Sequence, residues 1–284
     1  MSDINEKLEK AKARGEQQLE MSLLRQLSLP FWSEEQRGVP NGLLRSAIFA
    51  AIRRGKPIFL RRQKLASLEG TSIIYTGIRL SQDYLTLWEC LVHAARAQQL
   101  GNRCEVSTYQ LLKLMSKVDT GGNRKVLYRM LAELQATAIE IKQGRYVYTG
   151  SLVEEAFRDD QAQRIVIVLN PRMVALFQSD QFTKVSWDIR QALKKPLAMW
   201  LHGFYSTHAK PFAYSTAKIH ELCGSDAKSV KKFTEDTLEP ALEELANVSR
   251  RHGEHFAYAV IGRLVHVSRS PAIALPKLNL PNCG

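Results

Sequence analysis

An internal echo at a spacing of 108 residues constrains this chain more than any other feature. "VSTYQLLKLM" is matched by "YSTAKIHELC", so Ser107, Leu111 and Leu114 recur as Ser215, Ile219 and Leu222. A cap-forming serine followed by apolar residues at helical spacing predicts a short helix in each copy. A longer amphipathic segment precedes each one. "DYLTLWECLVHAARAQQ" aligns Tyr84, Trp88, Leu91, Val92 and Ala95, and "PLAMWLHGFYSTH" aligns Leu197, Trp200, Leu201, Phe204 and Tyr205. A turn follows each, "SKVDTGGN" or "GSDA", and then a third helix. In the first half its stripe is Val126, Leu127, Met130, Leu131 and Leu134, with Asn123 as the expected cap. In the second it is Val230, Phe233, Leu238, Ala241, Leu242 and Leu245. Strand-like alternation closes both halves: "ATAIEI", "RYVYTG" and "RIVIVLN", then "HFAYAVIG" and "RLVHVS".

Helix, short helix, turn, helix and β-hairpin is the order of a winged helix. The expected fold is therefore α+β, two tandem winged-helix domains over 41–170 and 171–270, with a C-terminal tail over 271–284. Residues 1–40 are expected to be an arm and linker. Residues 2–24 alternate acids and bases around sparse apolar positions, a solvated helix or a flexible arm. "SLPFWSEEQRGVPNG" has two prolines and two glycines, so folding is expected to start near Asn41. Overlapping its start, "QLSLPFW" (26–32) reads, by pattern alone, as the apolar anchor of a linker or as a peptide for another protein's groove.

Composition narrows the partners. The 284 residues suit two domains, and 45% hydrophobic content allows real cores. Forty Lys and Arg against 28 Asp and Glu leave a formal charge of +12, which favours polyanions and nucleic acid above all. An anionic membrane would call for a basic amphipathic helix or a lipidation signal, and neither is evident. Met1–Glu20 lacks the apolar run of a signal peptide and no stretch reaches 18 apolar residues, so a cytoplasmic location is expected. Cys90, Cys104, Cys223 and Cys283 are scattered without metal-binding spacing and read as reduced, small core residues.

A groove-reading helix enters DNA by its N-terminus, so its first turns should be basic. The second half offers Lys228, Lys231 and Lys232 with Ser229, while Glu235, Asp236, Glu239, Glu243 and Glu244 crowd the remainder. Basic residues at a helix N-terminus oppose the macrodipole and so ask for an anion. Pro240 is expected to kink or break this helix near Leu238–Glu239. The first half offers Arg124, Lys125 and Arg129 with Tyr128 among them. Arg250 and Arg251 in "SRRHG" are placed at the tip of the second hairpin, where a wing would touch DNA. Arg45, Arg53, Arg54, Lys56, Arg61, Arg62 and Lys64, with no acid among them, form a candidate phosphate surface.

Nothing in the sequence asks for an active site, a metal or a cofactor. No Gly-x-x-x-x-Gly-Lys-Ser/Thr loop is present, and His252 and His255 lack the spacing of the metal-bound pair of DNA-nicking initiators.

Together these stretches resemble the TrfA-type plasmid replication initiators, which bind directly repeated origin sequences called iterons. The resemblance runs from about Gln26 to Arg269. It rests on the order and spacing of "RSAIF" (45–49), "YTG" (75–77), "LQATA" (134–138), Leu176, Phe177, Asp180, Thr183, Lys184 and Trp187, "CGSD" (223–226), "VKK" (230–232) and "EEL" (243–245). It implies that the second winged helix supplies the main groove helix, with Ser225, Lys231 and Lys232 at its tip, and that Ala227 and Lys228 depart from the family pattern. It implies also that iteron-bound monomers melt adjacent A+T-rich DNA, with double-stranded iterons and single-stranded DNA of the melted region as ligands. Host initiator, replicative helicase and sliding clamp would be partners, and inhibitory dimers would form. "QLSLPF" resembles the family's clamp-binding peptide with one residue inserted, which gives Gln26, Leu27, Leu29 and Phe31 as the clamp-binding set. The competing functions are a winged-helix repressor that melts nothing and an origin-nicking enzyme.

Overall fold

The computed structural model describes residues 29–270, apart from Arg54, Lys56, 98–102, Arg145, Asp160, 162–163 and 178–179. The expected arm before Leu29 and tail after Ser270 lie outside the described residues. Strand β1 (Gln36–Pro40) leads into helix α1 (Asn41–Leu44), β2 (Phe49–Ala50), β3 (Phe59–Leu65), β4 (Thr71–Ile78) and β5 (Leu80–Ser81). Then come α2 (Gln82–Ala97), β6 (Arg103–Ser107), α3 (Thr108–Leu114), α4 (Gly121–Gln135), β7 (Ala138–Gln143), β8 (Tyr146–Gly150), β9 (Glu155–Asp159) and β10 (Arg164–Val168). A 3-10 turn over Pro171–Phe177 and β11 (Phe182–Ser186) complete the first unit. The second has α5 (Trp187–Ala192), α6 (Pro196–Ser206), β12 (Tyr214–Ser215), α7 (Thr216–Leu222), α8 (Val230–Phe233), a π-helical turn over Thr234–Leu238, α9 (Glu239–Arg251), β13 (His255–Ile261) and β14 (Leu264–Ser270).

The sequence echo reappears as topology. The strand before each short helix pairs with the second strand of a later hairpin, in the sheet orders β6-β10-β9 and β12-β14-β13. Ser107 lies opposite Arg164, the first residue of β10, and Ser215 lies opposite Leu264, the first residue of β14. Both serines cap as expected. Ser107 accepts from the Gln110 amide while Gln110 reaches back to the Ser107 amide, and Ser215 accepts from the Lys218 amide. The halves differ by an insertion. Strands β7 and β8 join β4 and β3 in a separate sheet of order β3-β4-β7-β8, so "ATAIEI" and "RYVYTG" do not belong with "RIVIVLN". The β3–β4 hairpin and β9 were not foreseen.

Each unit has its own core. Trp88, Leu91, Val92 and Ala95 of α2 are buried with Leu127, Leu131, Ile139 and Ile141, and Phe177 stacks on both Trp88 and Trp32. The second core centres on Trp200, Leu201 and Phe204 of α6, against Ile219, Leu222, Phe233 and Leu242. Each fully buried large side chain contributes about 1.5–3 kcal/mol. Three of the four buried indoles donate a hydrogen bond: Trp32 to His93 Nδ1, Trp88 to Leu152 O and Trp200 to Ser46 O. Cys90, Cys104 and Cys223 are buried thiols whose pKa burial pushes up, as expected of core residues; Cys283 lies outside the described residues.

Several expectations change. The fold takes in residues before Asn41, because Leu29 packs on the first core, Trp32 is 1% exposed and β1 pairs antiparallel with β11. The same pairing extends the first unit beyond 170: Trp187 belongs to the first core and Ile189 to the second. Thr120, not Asn123, caps α4, accepting from the Asn123 amide, while the Asn123 side chain donates to Val118 O. Pro240 neither breaks nor terminates the helix. Phe233, Thr234, Leu238 and Glu239 all keep right-handed helical dihedrals, and the Glu239 amide bonds back five residues to Thr234 O. Widening this turn accommodates a proline ring that would otherwise meet the carbonyl four residues back.

Candidate nucleic-acid interface

The second candidate reading element begins at the turn that follows α7. Gly224 takes φ +60, which a side chain would strain, and a Cβ there would meet the Cβ atoms of Ala47 and Ala50 at 3.1 Å. Ser225 Oγ accepts from the Ala227 amide at 3.2 Å, and His220 Nε2 donates to Ala227 O at 2.8 Å. The His220 ring also packs edge-on against Phe233, 4.8 Å between centroids. Past this turn Lys228, Ser229, Lys231 and Lys232 are exposed, and none of the three lysines has an ion-pair partner among the described residues. The helix opens without a side-chain cap at Ser229, leaving its first amides available to an anion. Glu244, one of the acids farther along, is engaged elsewhere: it accepts from the amides of Lys194 and Lys195 at the start of α6.

The first half is less open. Arg124 is held by both carboxylate oxygens of Asp119, at 2.6 and 2.8 Å, and that bond raises the Arg124 pKa and lowers that of Asp119. Arg129 Nε lies 3.7 Å from Glu133. Lys125 is exposed, and beside it Arg158 of β9 lies over the Tyr128 ring at 4.4 Å. The Arg158 contribution was missed in the sequence because β9 was missed.

The basic run before α2 divides. Arg45 leaves the surface group: its guanidinium donates to Thr207 Oγ1 and Thr207 O at 2.7 and 2.6 Å, joining the two units. Arg61, Arg62 and Lys64 are exposed on β3, with Arg62 at φ +46 where the β3–β4 register shifts. Arg54 and Lys56 lie outside the described residues. Arg53 and Arg129 line one cleft of about 450 Å³ with Arg79 and Asp226, so groups far apart in sequence converge beside the second tip.

Arg250 and Arg251 are not at a hairpin tip. They form the last turn of α9, where cations suit the helix dipole. At 1.5 Å per residue they stand roughly 28 Å from Lys231 along the helix. The hairpin tip is Gly262–Arg263, whose Arg263 carbonyl accepts from the Thr216 amide at the start of α7. Only the length of α7, about 10 Å, separates that point from the lysine-bearing turn. A glycine between the two alternating runs "HFAYAVI" and "LVHVS" was the signal for the tip.

Of the clamp-binding set, Gln26 and Leu27 lie outside the described residues. Leu29 packs against the first core, whereas Phe31 is 77% exposed with the Arg96 guanidinium 5.4 Å from its ring centroid. Glu34 fixes the next residues to α2 through His93 Nε2 at 2.8 Å and Arg96 at 3.1 Å. Among the described residues no three His, Cys, Asp or Glu side chains are grouped to hold a metal ion, and no helix is long and apolar enough to cross a membrane.

Comparison with known proteins places this arrangement. Plasmid replication initiator protein TrfA of Escherichia coli is 26% identical over 237 residues, covering 81% of this chain and 62% of that protein. The chain thus spans somewhat under two thirds of that relative. Among solved structures, domains 2 and 3 of RctB superpose with a TM-score of 0.54 at 11% identity, over 82% of this chain and 97% of theirs, a likeness of fold. The Pi initiator protein in complex with iteron DNA gives 0.48 at 13% identity, over 66% and 94%. The TrfA protein profile matches residues 3–269, which takes in both units and both sets of candidate reading residues, and the chain belongs to that family.

Proposed function

We propose that this chain is a plasmid replication initiator that binds origin iterons through two tandem winged helices and acts without a catalytic site of its own. The observation that carries the reading is the repeated topology with its two cap serines in register. In the second copy it leads into an exposed, uncapped helix tip bearing Lys228, Ser229, Lys231 and Lys232. Such a tip can enter a major groove N-terminus first. Ser225 braces the turn behind it, and Lys125, Arg124 and Arg129 of α4 serve the first copy. Arg53, Arg54, Arg61 and Arg62 supply phosphate contacts, which set affinity rather than sequence preference. The wing contact falls on Arg263 rather than on Arg250 and Arg251.

Initiation further requires melting of adjacent A+T-rich DNA. Unstacking costs a few kcal/mol per step, and contacts across several bound copies offset it. The peptide Gln26–Phe31 is the tether to the host sliding clamp: Phe31 is exposed for an apolar groove, Leu29 would have to leave the first core to join it, and Pro30 disfavours a helix there. Host initiator and helicase are the further partners, the chain exchanges between monomer and dimer, and its place of action is the bacterial cytoplasm. Footprinting on the cognate plasmid tests the reading. Several evenly spaced protected repeats beside permanganate-reactive A+T-rich DNA are expected; a single protected palindrome without melting would indicate a repressor instead.

A further inference from the structure

The turn that precedes the second reading tip is held from outside its own unit. Arg79, between β4 and β5 of the first unit, donates through one guanidinium nitrogen to Gly224 O and through another to the Asp226 carboxylate. The Arg79 side chain is largely buried while that of Asp226 is exposed, so the arginine is the fixed member of the pair. Two neighbouring contacts restrain the same turn: the Ala51 amide donates to Cys223 O at 2.8 Å, and Gly224 lies against Ala47 and Ala50. From its own unit His220 donates to Ala227 O, while the amides of Gly224 and Ser225 donate back to Glu221 O and His220 O at the end of α7. A guanidinium bonded at once to a carbonyl and a carboxylate two residues apart fixes the path of the chain between them.

We propose that Arg79 is a positioning residue for DNA reading: the first unit, through Arg79 and Asp226, sets where the tip Ser225–Lys232 of the second unit sits against the bases. This deepens the iteron-binding reading and rests on it. Arg79 acts through the turn and not on the DNA. Without it the tip loses its aim, while the long, flexible lysine side chains still reach phosphates. Sequence discrimination should therefore fall without a matching fall in the electrostatic part of binding, because base contacts specify and phosphate contacts position.

The test uses the full chain and two duplexes: the origin segment protected in the footprint and a shuffled duplex of equal length and composition. Arg79→Gln and Asp226→Asn should each weaken binding to the protected duplex about tenfold and leave the shuffled duplex and the salt dependence unchanged. The double variant should be no worse than Arg79→Gln alone, since both break one contact. Asp226→Asn alters an exposed side chain and keeps the experiment informative if Arg79→Gln folds poorly. Equal loss on both duplexes, with the salt slope reduced by about 0.9, would make Arg79 a phosphate contact and overturn the proposal. Unchanged binding by both single variants would overturn it as well. Lys231→Ala with Lys232→Ala in the same assay separates the two ideas. If that pair matters and Arg79 does not, only the positioning role falls; if the pair has no effect, the reading of the tip itself fails.

Discussion

Arg190 and Glu89 meet 2.5 Å apart with side chains 1% and 0% exposed, an ion pair sealed between α5 of the second unit and α2 of the first. Arg190 also donates to Gln82 Oε1, Gln82 O and Thr86 Oγ1, so one guanidinium binds three residues of α2. Burial raises the Glu89 pKa and Arg190 pulls it back. Removing one partner leaves the other charge buried and alone. Arg190→Met should cost about 3–5 kcal/mol in urea unfolding, whereas Arg190→Met combined with Glu89→Leu should recover most of that loss. A double variant no more stable than the single one would show that the seam needs the charges themselves.

His202 supplies a pH dependence. Its imidazole is buried, both ring nitrogens lack a partner among the described residues, and its pKa is pushed from 6.5 down to about 3, by burial first and then by Arg190 and Arg269. Between those values the unfolded chain holds more protons than the folded one. The stability from keeping His202 neutral is thus complete above pH 6.5 and falls by about 1.4 kcal/mol per unit as the pH drops toward 3. Denaturant midpoints for the unaltered chain and for His202→Leu should diverge between pH 7.5 and 5, with the variant the flatter of the two.

Adjacent aromatics should behave oppositely. Phe31 is 77% exposed and Trp32 is 1% exposed. Phe31→Ala should leave thermal stability within about 0.5 kcal/mol and abolish capture by a purified sliding clamp. Trp32→Ala should cost about 3–5 kcal/mol through the cavity it opens beside Phe177 and the lost bond to His93. Iteron binding should survive the first change.

The lysine tip and the proposed wing residue Arg263 make separable predictions. Lys231→Ala with Lys232→Ala should weaken binding by about 1–3 kcal/mol and flatten the salt dependence. Arg263→Ala should act on DNA binding, read by fluorescence anisotropy. Arg250→Ala with Arg251→Ala should instead lower helix stability by about 0.3–1 kcal/mol each through the dipole, with little effect on affinity.

Local signals carried much of this fold in the sequence. The serine caps, the α2 and α6 stripes and the second hairpin's strands were legible because each depends on residues within one or two turns of one another. The β1–β11 pairing was not, since Gly38 and Pro40 look like linker punctuation until a distant strand supplies their partner. Pro240 was misjudged because a single widened turn, invisible to periodicity, absorbs it. In the candidate site the lysines were legible as an unopposed charge at a helix start. The pairing of Arg124 with Asp119 across a turn was not, and Arg79 lay outside any pattern because its partners are 145 and 147 residues away.

The β1–β11 pairing also dictates a schedule for the nascent chain. β1 is made first in the unit and finds its partner only when Ser186, its last opposing residue, has emerged. Closing so long a loop is slow relative to forming the helices between. The first unit must therefore wait, with Trp32 uncovered, until nearly all of it has been synthesised. The second core waits longer still, because it includes Phe256 and Val265, made well after Ser186.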